Sequence, residues 1–333
     1  MLLSTIIQRF STVRVLCIGD VMLDHFVYGR VNRLSPEAPV PVFNRESDKF
    51  MLGGAGNVLA NAASLGCQVD MVCLLGDDAP GSMLDARIRE VCPEPLCMVE
   101  PDVPTIEKTR IIAGNHHLIR IDTEGMPAGN PFSRQERYSE LASRIRRAGI
   151  VLLSDYGKGF LSPETCRIIM TLARDAGKPV LVDPKGSDYE KYAGAALVKP
   201  NLKEFMQAGG VRTEPSDPDF KQKLCDGART LMRRGGFDNL LITLSEHGMF
   251  FVGADASIPP VHMATQAREV IDVTGAGDTC LAVLGTALGA GADIAEAMKL
   301  ANLAAGIVVG KLGTAVVSAA ELTEHLFRGE VVG

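Results

Sequence analysis

The stretch of the chain best suited to chemistry is Asp-Val-Thr-Gly-Ala-Gly-Asp at residues 272–278, in which two acids enclose a glycine-rich turn. Because Gly275 and Gly277 lack a Cβ, successive backbone N–H groups can approach an anion closely, and the start of a helix adds partial positive charge. Asp278 would lie in the first helical turn, where a carboxylate repels a phosphate but can accept a proton from an attacking hydroxyl group. The alternative is that Thr274 caps the helix and Asp278 is only a favourable first-turn acid.

A second glycine-rich turn, Gly-Gly-Ala-Gly-Asn at residues 53–57, precedes another predicted helix. It permits close backbone approach to a ligand and presents Asn57 one turn into that helix. Upstream, Asp20 and Asp24 follow a predicted strand, where carboxylates can accept hydrogen bonds from sugar hydroxyls. The alternatives are a packing turn for the glycines, and capping or turn formation for the two acids.

The segment Lys-Pro-Asn-Leu-Lys-Glu-Phe at residues 199–205 also follows a predicted strand. It places Asn201 and Glu204 one helical turn apart. Such a pair suits Mg²⁺ that is bound to phosphate and held by the protein through water. The alternative is a capping arrangement at the start of a helix.

The elements that must position these residues follow from the pattern of apolar residues. Short β-branched runs alternate with helical patterns, which is typical of an α/β fold with a mostly parallel sheet and helices on both faces. Strands are predicted over residues 13–19, 69–76, 150–155, 179–183, 195–199 and 239–244. Helices are predicted near residues 54–65, 81–91, 134–148, 163–176, 218–234, 275–289, 293–309 and 319–327.

Two β-like stretches, at about residues 25–45 and 105–122, interrupt this alternation because no helix separates their strands. Three prolines in the first stretch remove backbone donors, which suits an edge strand or a small separate sheet. We predict a small β lid over the carboxyl ends of the main strands, where open α/β sheets bind ligands. Residues 1–333 would then form a single domain with this lid.

The composition narrows the classes of partner. The 333 residues carry a net charge of -6, whereas binding to nucleic acid or to an anionic membrane needs clustered excess Lys and Arg. The longest uncharged suspect for a membrane span, residues 279–292, is too short and more typical of a buried helix. Eight cysteines without a CxxC pair indicate reduced thiols, and Arg9 and Arg14 interrupt the N-terminal apolar run, so we expect a cytoplasmic protein. The cluster Arg144, Arg146 and Arg147 is expected to solvate a helix end.

Taken together and in this order, the motifs resemble those of the ribokinase-like carbohydrate kinase family over essentially the whole chain. Residues 272–278 are similar to the C-terminal signature of that family and residues 53–57 to its N-terminal one, and residues 201–204 and 243–249 add to the likeness. The resemblance implies a ribokinase-like fold and an enzyme that uses ATP and Mg²⁺. No dinucleotide-binding or P-loop motif competes with it.

The resemblance also implies roles for individual residues. The implied catalytic base is Asp278, and the implied anion hole is formed by Gly275, Ala276 and Gly277. The expected sugar contacts on the main domain are Asp20, Asp24, Gly54 and Asn57. The implied contacts to ATP, with Glu204 also facing Mg²⁺, are Asn201, Leu202, Lys203, Glu204, Ser245, Gly248 and Asn302. Ser245 departs from the glycine common in that loop, which predicts a slightly narrower nucleotide pocket.

Further segments narrow the resemblance within the family. Residues 19–24, 35–42, 107–110, 154–159 and 182–186 are similar to those of kinases that act on D-glycero-β-D-manno-heptose 7-phosphate. That likeness implies phosphorylation of the anomeric hydroxyl to the 1,7-bisphosphate, for ADP-heptose and lipopolysaccharide core synthesis. The alternatives are a kinase of another sugar phosphate or nucleoside, and a non-catalytic sugar-binding regulator.

A heptose 7-phosphate carries a dianion far from the reacting hydroxyl, so its pocket needs cations away from residues 275–278 and 201–204. The candidates are Arg110 and Arg120 on the predicted lid and Lys185 at a strand end in the main domain. Each also has an ordinary explanation as a surface charge.

Two expectations concern assembly and extent. The lid segments 26–31, 39–43 and 106–112 form a sheet too small to bury both faces, which predicts a homodimer through the lids unless each lid folds onto its own main domain. Some proteins with this kinase domain carry a fused nucleotidyltransferase domain. No such domain follows the last predicted helix, so we expect only the kinase reaction.

Overall fold

Two β-sheets of different size organise the protein. The computed structural model describes residues 2–114, 116–127, 129–255, 257–265 and 270–330. The strands are β1 Arg14–Gly19, β2 Val21–Leu34, β3 Pro41–Gly54, β4 Gln68–Gly76, β5 Leu96–Glu100, β6 Glu107–Ala113, β7 His116–Thr123, β8 Ile150–Ser154, β9 Val180–Asp183, β10 Leu197–Val198, β11 Leu240–Thr243, β12 Met249–Val252 and β13 Val261–Met263. The helices are α1 Leu3–Gln8, α2 Ala55–Ser64, α3 Ala79–Val91, α4 Gln135–Arg147, α5 Pro163–Asp175, α6 Leu202–Gln207, α7 Phe220–Gly235, α8 Ala276–Gly289, α9 Ile294–Val308 and α10 Ala319–Glu330.

The main sheet has nine strands in the order β13-β12-β11-β10-β9-β8-β1-β4-β5. From β5 to β11 all neighbours are parallel, and β12 and β13 add an antiparallel edge. The α/β fold with a mostly parallel sheet is therefore confirmed. Because parallel strands all end at one edge, the segments that follow β1, β8 and β9 lie side by side.

Helices cover both faces of this sheet, as the alternation of side chains in its strands requires. In β1, Val15 and Cys17 pack on one face with buried residues of α1, α2, α3, α8, α9 and α10. Leu16 and Ile18 pack on the other face with residues of α4, α5, α6 and α7. Both faces are fully buried, which explains why the central strands read as continuous apolar runs.

The uncharged run 279–292 lies mainly in α8, and no helix in the described ranges is long and apolar enough to cross a membrane.

The six strands and eight helices predicted from the sequence are all present, with ends within three residues of those predicted. Sequence reasoning missed β5 and the antiparallel strands β12 and β13. β5 and β13 are the two edge strands of the sheet and are only partly buried, and β12 lies between β13 and the parallel strands, so none of the three belongs to the run of buried parallel strands that the alternation with helices indicates.

The second sheet has four strands in the order β3-β2-β6-β7, and both predicted lid stretches fall within it. β2 leaves the main domain directly after Asp20, and β3 returns to it at Gly54, where α2 begins. β2 pairs with β3 in antiparallel and with β6 in parallel orientation. We call this sheet the lid.

One arginine cluster departs from expectation. Arg146 and Arg147 are exposed at the end of α4, but Arg144 is only 9% exposed. Its Nη1 contacts the Asp70 carboxylate in β4 and donates to the Glu94 carbonyl oxygen at 2.9 Å. Arg144 therefore does not solvate the helix end; it ties α4 to the sheet.

Candidate functional site

The candidate site lies at the carboxyl ends of the parallel strands, where the N-terminus of α8 meets them. Asp20 follows β1, Asp155 follows β8, and Asp183 is the last residue of β9. Because β8 pairs in parallel with both β1 and β9, these three acids lie at the same edge of the sheet. The first turn of α8, with Asp278, lies against the same edge.

Asp278 is the centre of the site. Its side chain is 2% exposed, its Oδ2 accepts a hydrogen bond from Asn57 Nδ2 at 3.0 Å, and its Oδ1 accepts one from the Tyr156 hydroxyl at 2.9 Å. Burial raises the pKa of Asp278 to about 7, against the opposing effect of these two donors. A carboxylate that titrates near neutral pH is suited to accept a proton.

Asn57 is held by a buried polar chain that links three parts of the fold. Asn61, four residues further along α2, donates from Nδ2 to Asn57 Oδ1 at 3.1 Å. Its own Oδ1 accepts from the Thr279 hydroxyl at 3.1 Å and from the Val317 amide at 3.3 Å. The orientation of Asn57 therefore depends on α2, α8 and the segment before α10. Sequence reasoning missed Asn61, although its (i, i+4) spacing from Asn57 was visible.

The glycine-rich turn adopts the geometry that its composition predicts. Gly275 has φ 80°, and a Cβ there would lie 2.5 Å from Asn57 Nδ2. The Cβ direction of Gly277 opens toward Asp183 and Lys199, whose carboxylate and ammonium groups are 3.0 Å apart. With Ala276 between these glycines, the first helical N–H groups of α8 lie next to a buried lysine.

Lys199 and Asp183 were not predicted as site residues. Burial opposes the charge on Lys199, but the Asp183 carboxylate and other nearby groups outweigh it and raise the pKa of Lys199. Burial raises the pKa of Asp183, and Lys199 opposes that shift. Lys199 and Asp183 therefore form an ion pair, which keeps an ammonium group beside the glycine-rich turn.

The first acid of the motif has a structural role. Asp272 Oδ1 accepts from the Thr274 amide at 2.9 Å and its hydroxyl at 2.7 Å, and Oδ2 accepts from the Gly313 amide at 3.0 Å. Burial would raise the pKa of Asp272, but these hydrogen bonds lower it. The N-cap of α8 is Gly275 without a side-chain cap, so the alternative in which Thr274 caps the helix is wrong.

Asp20 contacts backbone rather than open space. Its Oδ2 accepts from the amides of Tyr156 at 2.9 Å and Lys158 at 3.1 Å, and burial raises its pKa to about 6. These contacts match the turn-forming alternative, since Asp20 holds the loop that carries Tyr156. Gly54, with φ 59°, lies beside it, and a Cβ there would collide with the Asp20 carbonyl oxygen.

Asp24 and Arg110 form a buried ion pair on the inner face of the lid, the face turned toward the site. Arg110 Nη1 lies 2.5 Å from Asp24 Oδ1, and the guanidinium group stacks 5.0 Å from the Phe26 ring centre. A Cβ at Gly53 would collide with the Asp24 carboxylate. Two predicted sugar-site residues are thus brought together, and Asp24 is oriented by an arginine.

The other two predicted phosphate cations, Arg120 and Lys185, also each pair with a carboxylate. Arg120 is half exposed and pairs with Asp122 through two hydrogen bonds of 2.8 and 2.9 Å. Lys185 Nζ lies 2.8 Å from Glu204 Oε1, so the expectation that Lys185 lies away from residues 201–204 is wrong. The end of β9 faces the start of α6, and residue order alone does not show that these two segments are neighbours.

Lys108 was missed, although it stands two residues before Arg110 and therefore on the same face of β6. Its Nζ lies 5.9 Å from the centre of the Tyr156 ring. Burial lowers the pKa of Lys108, and the positive charges of Arg120 and Lys158 lower it further. Lys158 contacts the Glu124 carboxylate.

The segment 201–204 forms a capping box, which is the alternative that the sequence left open. Asn201 Oδ1 accepts from the Glu204 amide at 2.9 Å, and Glu204 Oε2 accepts from the Asn201 amide at 3.1 Å. Leu202 and Lys203 occupy the first turn of α6 between them. Glu204 is 8% exposed, and Lys185 occupies its other oxygen.

The described residues contain no group of three or more His, Cys, Asp or Glu side chains that could hold a metal ion. Mg²⁺ in phosphate-transfer sites needs only one or two carboxylates, because phosphates and water supply its other ligands. Glu204, with Asp183 close enough to feel its charge, fits such a water-mediated role.

The loop between β11 and β12 and the helix α9 both contact the end of β13 and the residues that follow it. Ser245 has φ 53°, the only positive φ of a non-glycine residue in the described ranges, which explains why glycine suits this position. Gly248, with φ 84°, approaches the backbone of residues 263–265 closely. Asn302 donates from Nδ2 to the Ala264 carbonyl oxygen at 2.6 Å. The structure thus brings these three predicted nucleotide contacts to one region, with residues 266–269 outside the described ranges.

Sequence comparison identifies relatives over nearly the whole chain. Residues 13–320 match the family model described as pfkB family carbohydrate kinase. The bifunctional protein HldE of Rhodospirillum rubrum is 41% identical over 330 residues, which are 99% of this chain and 65% of that protein. HldE of Caulobacter vibrioides is 45% identical over 317 residues, 95% of this chain and 64% of that protein. The chain thus spans about two thirds of the length of these relatives.

Solved structures share the fold at low sequence identity. Ribokinase from Arabidopsis thaliana, complexed with ribose and ATP, has a TM-score of 0.74 at 20% identity and covers 94% of this chain and 98% of its own. Phosphofructokinase-2 from Escherichia coli, in complex with potassium, has a TM-score of 0.73 at 19% identity and covers 94% and 97%. The expectation of a ribokinase-like fold is confirmed.

The raised pKa of Asp278 predicts a pH-dependent stability. The folded protein favours the protonated carboxyl, so this preference stabilises it fully below pH 3.8 and is lost as the pH rises through about 7. Asp278→Asn removes the titration. We expect the unfolding free energy of this variant, relative to the parent, to increase between about pH 5.5 and about pH 8, measured by urea unfolding.

Asp217→Asn is the matched control, because hydrogen bonds lower the pKa of Asp217 and it stays ionised across that range. Its stability difference from the parent should not change with pH. A difference for Asp278→Asn that is equally flat would contradict the buried, neutral-titrating carboxyl.

Proposed function

The chain belongs to the pfkB family of carbohydrate kinases, and we propose that it transfers phosphate from ATP to the anomeric hydroxyl of D-glycero-β-D-manno-heptose 7-phosphate. The product is the 1,7-bisphosphate, which would serve ADP-heptose and lipopolysaccharide core synthesis. The main support for a kinase reaction is the buried Asp278 beside the glycine-rich turn at the start of α8. The heptose assignment is supported by the motifs at residues 19–24, 107–110 and 154–159.

In this reaction Asp278 accepts the proton of the sugar hydroxyl as that oxygen bonds to the γ-phosphorus of ATP, while the bond from the γ-phosphorus to the β–γ bridging oxygen breaks and ADP leaves. The backbone N–H groups of Gly275, Ala276 and Gly277 and the N-terminus of α8 stabilise the charge on the transferred group. Lys199 adds positive charge beside this turn. Mg²⁺, held through water near Glu204, would supply neutralisation of the phosphate charge.

The lid completes the sugar side of the site. Asp24, held by Arg110, accepts a hydrogen bond from a sugar hydroxyl, and the backbone from Gly54 to Asn57 lies beside it. With a sugar bound, the lid covers the carboxyl ends of the strands and limits the access of water to the γ-phosphate. ATP occupies the side of the site formed by residues 201–204, Ser245, Gly248 and Asn302.

Kinase activity and the role of Asp278 are tested by one set of measurements. We expect Asp278→Asn to lower kcat by roughly 10² or more, the scale of a lost general base, with sugar and ATP affinity by calorimetry largely unchanged. The substrates are heptose 7-phosphate, unphosphorylated heptose, fructose 6-phosphate and adenosine, in an ADP-release assay. Asp226→Asn, at an exposed position of α7, is the control.

Near-normal turnover by Asp278→Asn would contradict the assignment of the base. Preference of the parent for another sugar phosphate or for the nucleoside would favour a different kinase of the family. Sugar binding without turnover by the parent would favour a non-catalytic regulator.

We also propose that the inner face of the lid binds the phosphate of the substrate. Arg110 and Arg120 are direct cross-strand partners between β6 and β7, and Lys108 lies on the same face. Like charges directly opposite one another destabilise a sheet, and Asp24 and Asp122 offset two of these three cations. A bound dianion would offset the third. Lys108 thus takes the place that the sequence had suggested for Lys185.

Substitutions on the lid test this phosphate pocket. We expect Lys108→Ala and Arg110→Ala each to raise the KM for heptose 7-phosphate at least tenfold, about 1.4 kcal/mol of lost binding, with little change in the KM for ATP. Lys185→Ala should alter the KM for ATP instead, since Lys185 contacts Glu204. Arg33→Ala, an exposed lid position, is the control. Equal turnover of unphosphorylated heptose by the parent would contradict the pocket.

The outer face of the lid supports the proposal of a homodimer. Ile111 and Ile119 are cross-strand partners there, and Ile119 and Ile121 are 59% and 52% exposed. A second copy of the chain, presenting the same face, would bury these side chains.

Light scattering at micromolar concentration should give about twice the 35.5 kDa mass of the chain. The double variant Ile119→Asp and Ile121→Asp should be a monomer, because each carboxylate would be buried in the interface. A parent mass near 35.5 kDa would contradict the dimer.

A cytoplasmic location is part of the proposal. The reaction consumes ATP, and all eight cysteines are free thiols, seven of them buried. Free thiols are typical of a reducing compartment.

A further inference from the structure

We propose that the Tyr156 hydroxyl is a positioning group for proton transfer, which holds the Asp278 carboxylate ionised and correctly oriented. The inference rests on the proposed function in that Asp278 is the proton acceptor. Tyr156 lies in the loop after β8, far from Asp278 in sequence, and no sequence argument assigned it a role.

The geometry gives each carboxylate oxygen of Asp278 one donor. Tyr156 donates to Oδ1 at 2.9 Å and Asn57 to Oδ2 at 3.0 Å. Two donors from different elements prevent rotation of the carboxylate. Because each carboxylate oxygen can accept a second hydrogen bond, the group keeps the capacity to receive a substrate hydroxyl.

The Tyr156 hydroxyl acts as a donor and not as a second base. Burial raises the pKa of Tyr156 well above its usual range, and the charge on Asp278 raises it further. The phenol therefore keeps its proton at every pH at which the enzyme would work. A hydrogen bond to the ionised form of a carboxyl group favours that form. Tyr156, like Asn57 and the Lys199 ammonium group, therefore opposes the effects of burial and of the Asp183 carboxylate on Asp278.

Two buried acids fix the loop that carries this tyrosine. Asp20 accepts from the amides of Tyr156 and Lys158, and Asp155 Oδ1 accepts from the Gly157 amide at 2.7 Å. Buried carboxylates are costly to desolvate, yet both of these hold the backbone on either side of one side chain. The position of Tyr156 is therefore specified by the fold.

The Tyr156 ring is also packed in place. Lys108 of the lid approaches its face, and a Cβ at Gly54 would lie 3.5 Å from Tyr156 Cδ2. Phenylalanine retains these ring contacts. Tyr156→Phe therefore removes the hydroxyl donor with little other change.

The first test is the pH profile of kcat/KM, with whichever sugar the parent phosphorylates. In Tyr156→Phe we expect the acid limb to move to higher pH by about one unit, the scale of one lost hydrogen bond to a carboxylate. Activity should fall about fivefold near pH 7, about tenfold at lower pH, and recover toward the parent value near pH 9. A loss that is the same at every pH, or no loss, would overturn the proposal.

Tyr192→Phe is the matched control, because its hydroxyl donates to Asp155 at 2.7 Å in the same region without contacting Asp278. We expect this variant to be less stable, with an unmoved acid limb. An equal shift of the limb in both variants would assign the effect to general loosening of the loop and overturn the proposal.

A second test needs no substrate. The Asp278 carboxyl carbon is followed by NMR in protein labelled with ¹³C-aspartate and assigned from the signal missing in Asp278→Asn. Its titration midpoint should lie at higher pH in Tyr156→Phe than in the parent, and an unchanged midpoint would overturn the proposal. Failure of the proposed function would appear separately, as absence of heptose 7-phosphate turnover by the parent, and would leave this titration interpretable.

Discussion

The arrangement of the site depends on keeping one buried carboxylate charged. Burial and the Asp183 carboxylate raise the pKa of Asp278 to about 7, and four groups reduce that cost: the helix N-terminus, Asn57, Tyr156 and Lys199. Each compensating group comes from a different element. Those elements must therefore pack in one arrangement for the carboxylate to be tolerated, which links the chemistry of the site to the packing of α2, α8 and the loop after β8.

The lid separates two kinds of surface by the alternation of a strand. In β6, Lys108 and Arg110 point to the inner face, and Ile111 points to the outer face. The lid thus carries cations on its inner face and exposed apolar side chains on its outer face. A shift of register by one residue would exchange the two faces and remove both properties.

The sequence predicted the main sheet well because fully buried parallel strands read as apolar runs, as in β1 and β8. It also singled out Asp278 and Asn57, which the structure brings into contact, since glycine-rich turns before helices mark close backbone approach. It did not reveal Tyr156, Lys199 or Asn61, because an ordinary residue type acquires its role only from partners distant in the chain. The wrong predictions for Lys185 and Arg144 have the same cause. Each of these side chains pairs with an opposite charge that tertiary packing brings close, and residue order does not show which charge that is.

Two of the four lid strands, β2 and β3, leave and rejoin the main domain at one point, whereas β6 and β7 connect to it separately. β2 begins one residue after Asp20, β3 ends one residue before Ala55, and the Ala55 amide donates to the Asp20 carbonyl oxygen at 3.0 Å. The side chain of Asp20 holds the Tyr156 loop from the same position. One residue thus fixes the base of β2 and β3 through its carbonyl oxygen and the Tyr156 loop through its carboxylate, so any substitution that displaces Asp20 would disturb the lid and the hydroxyl donor of Asp278 together.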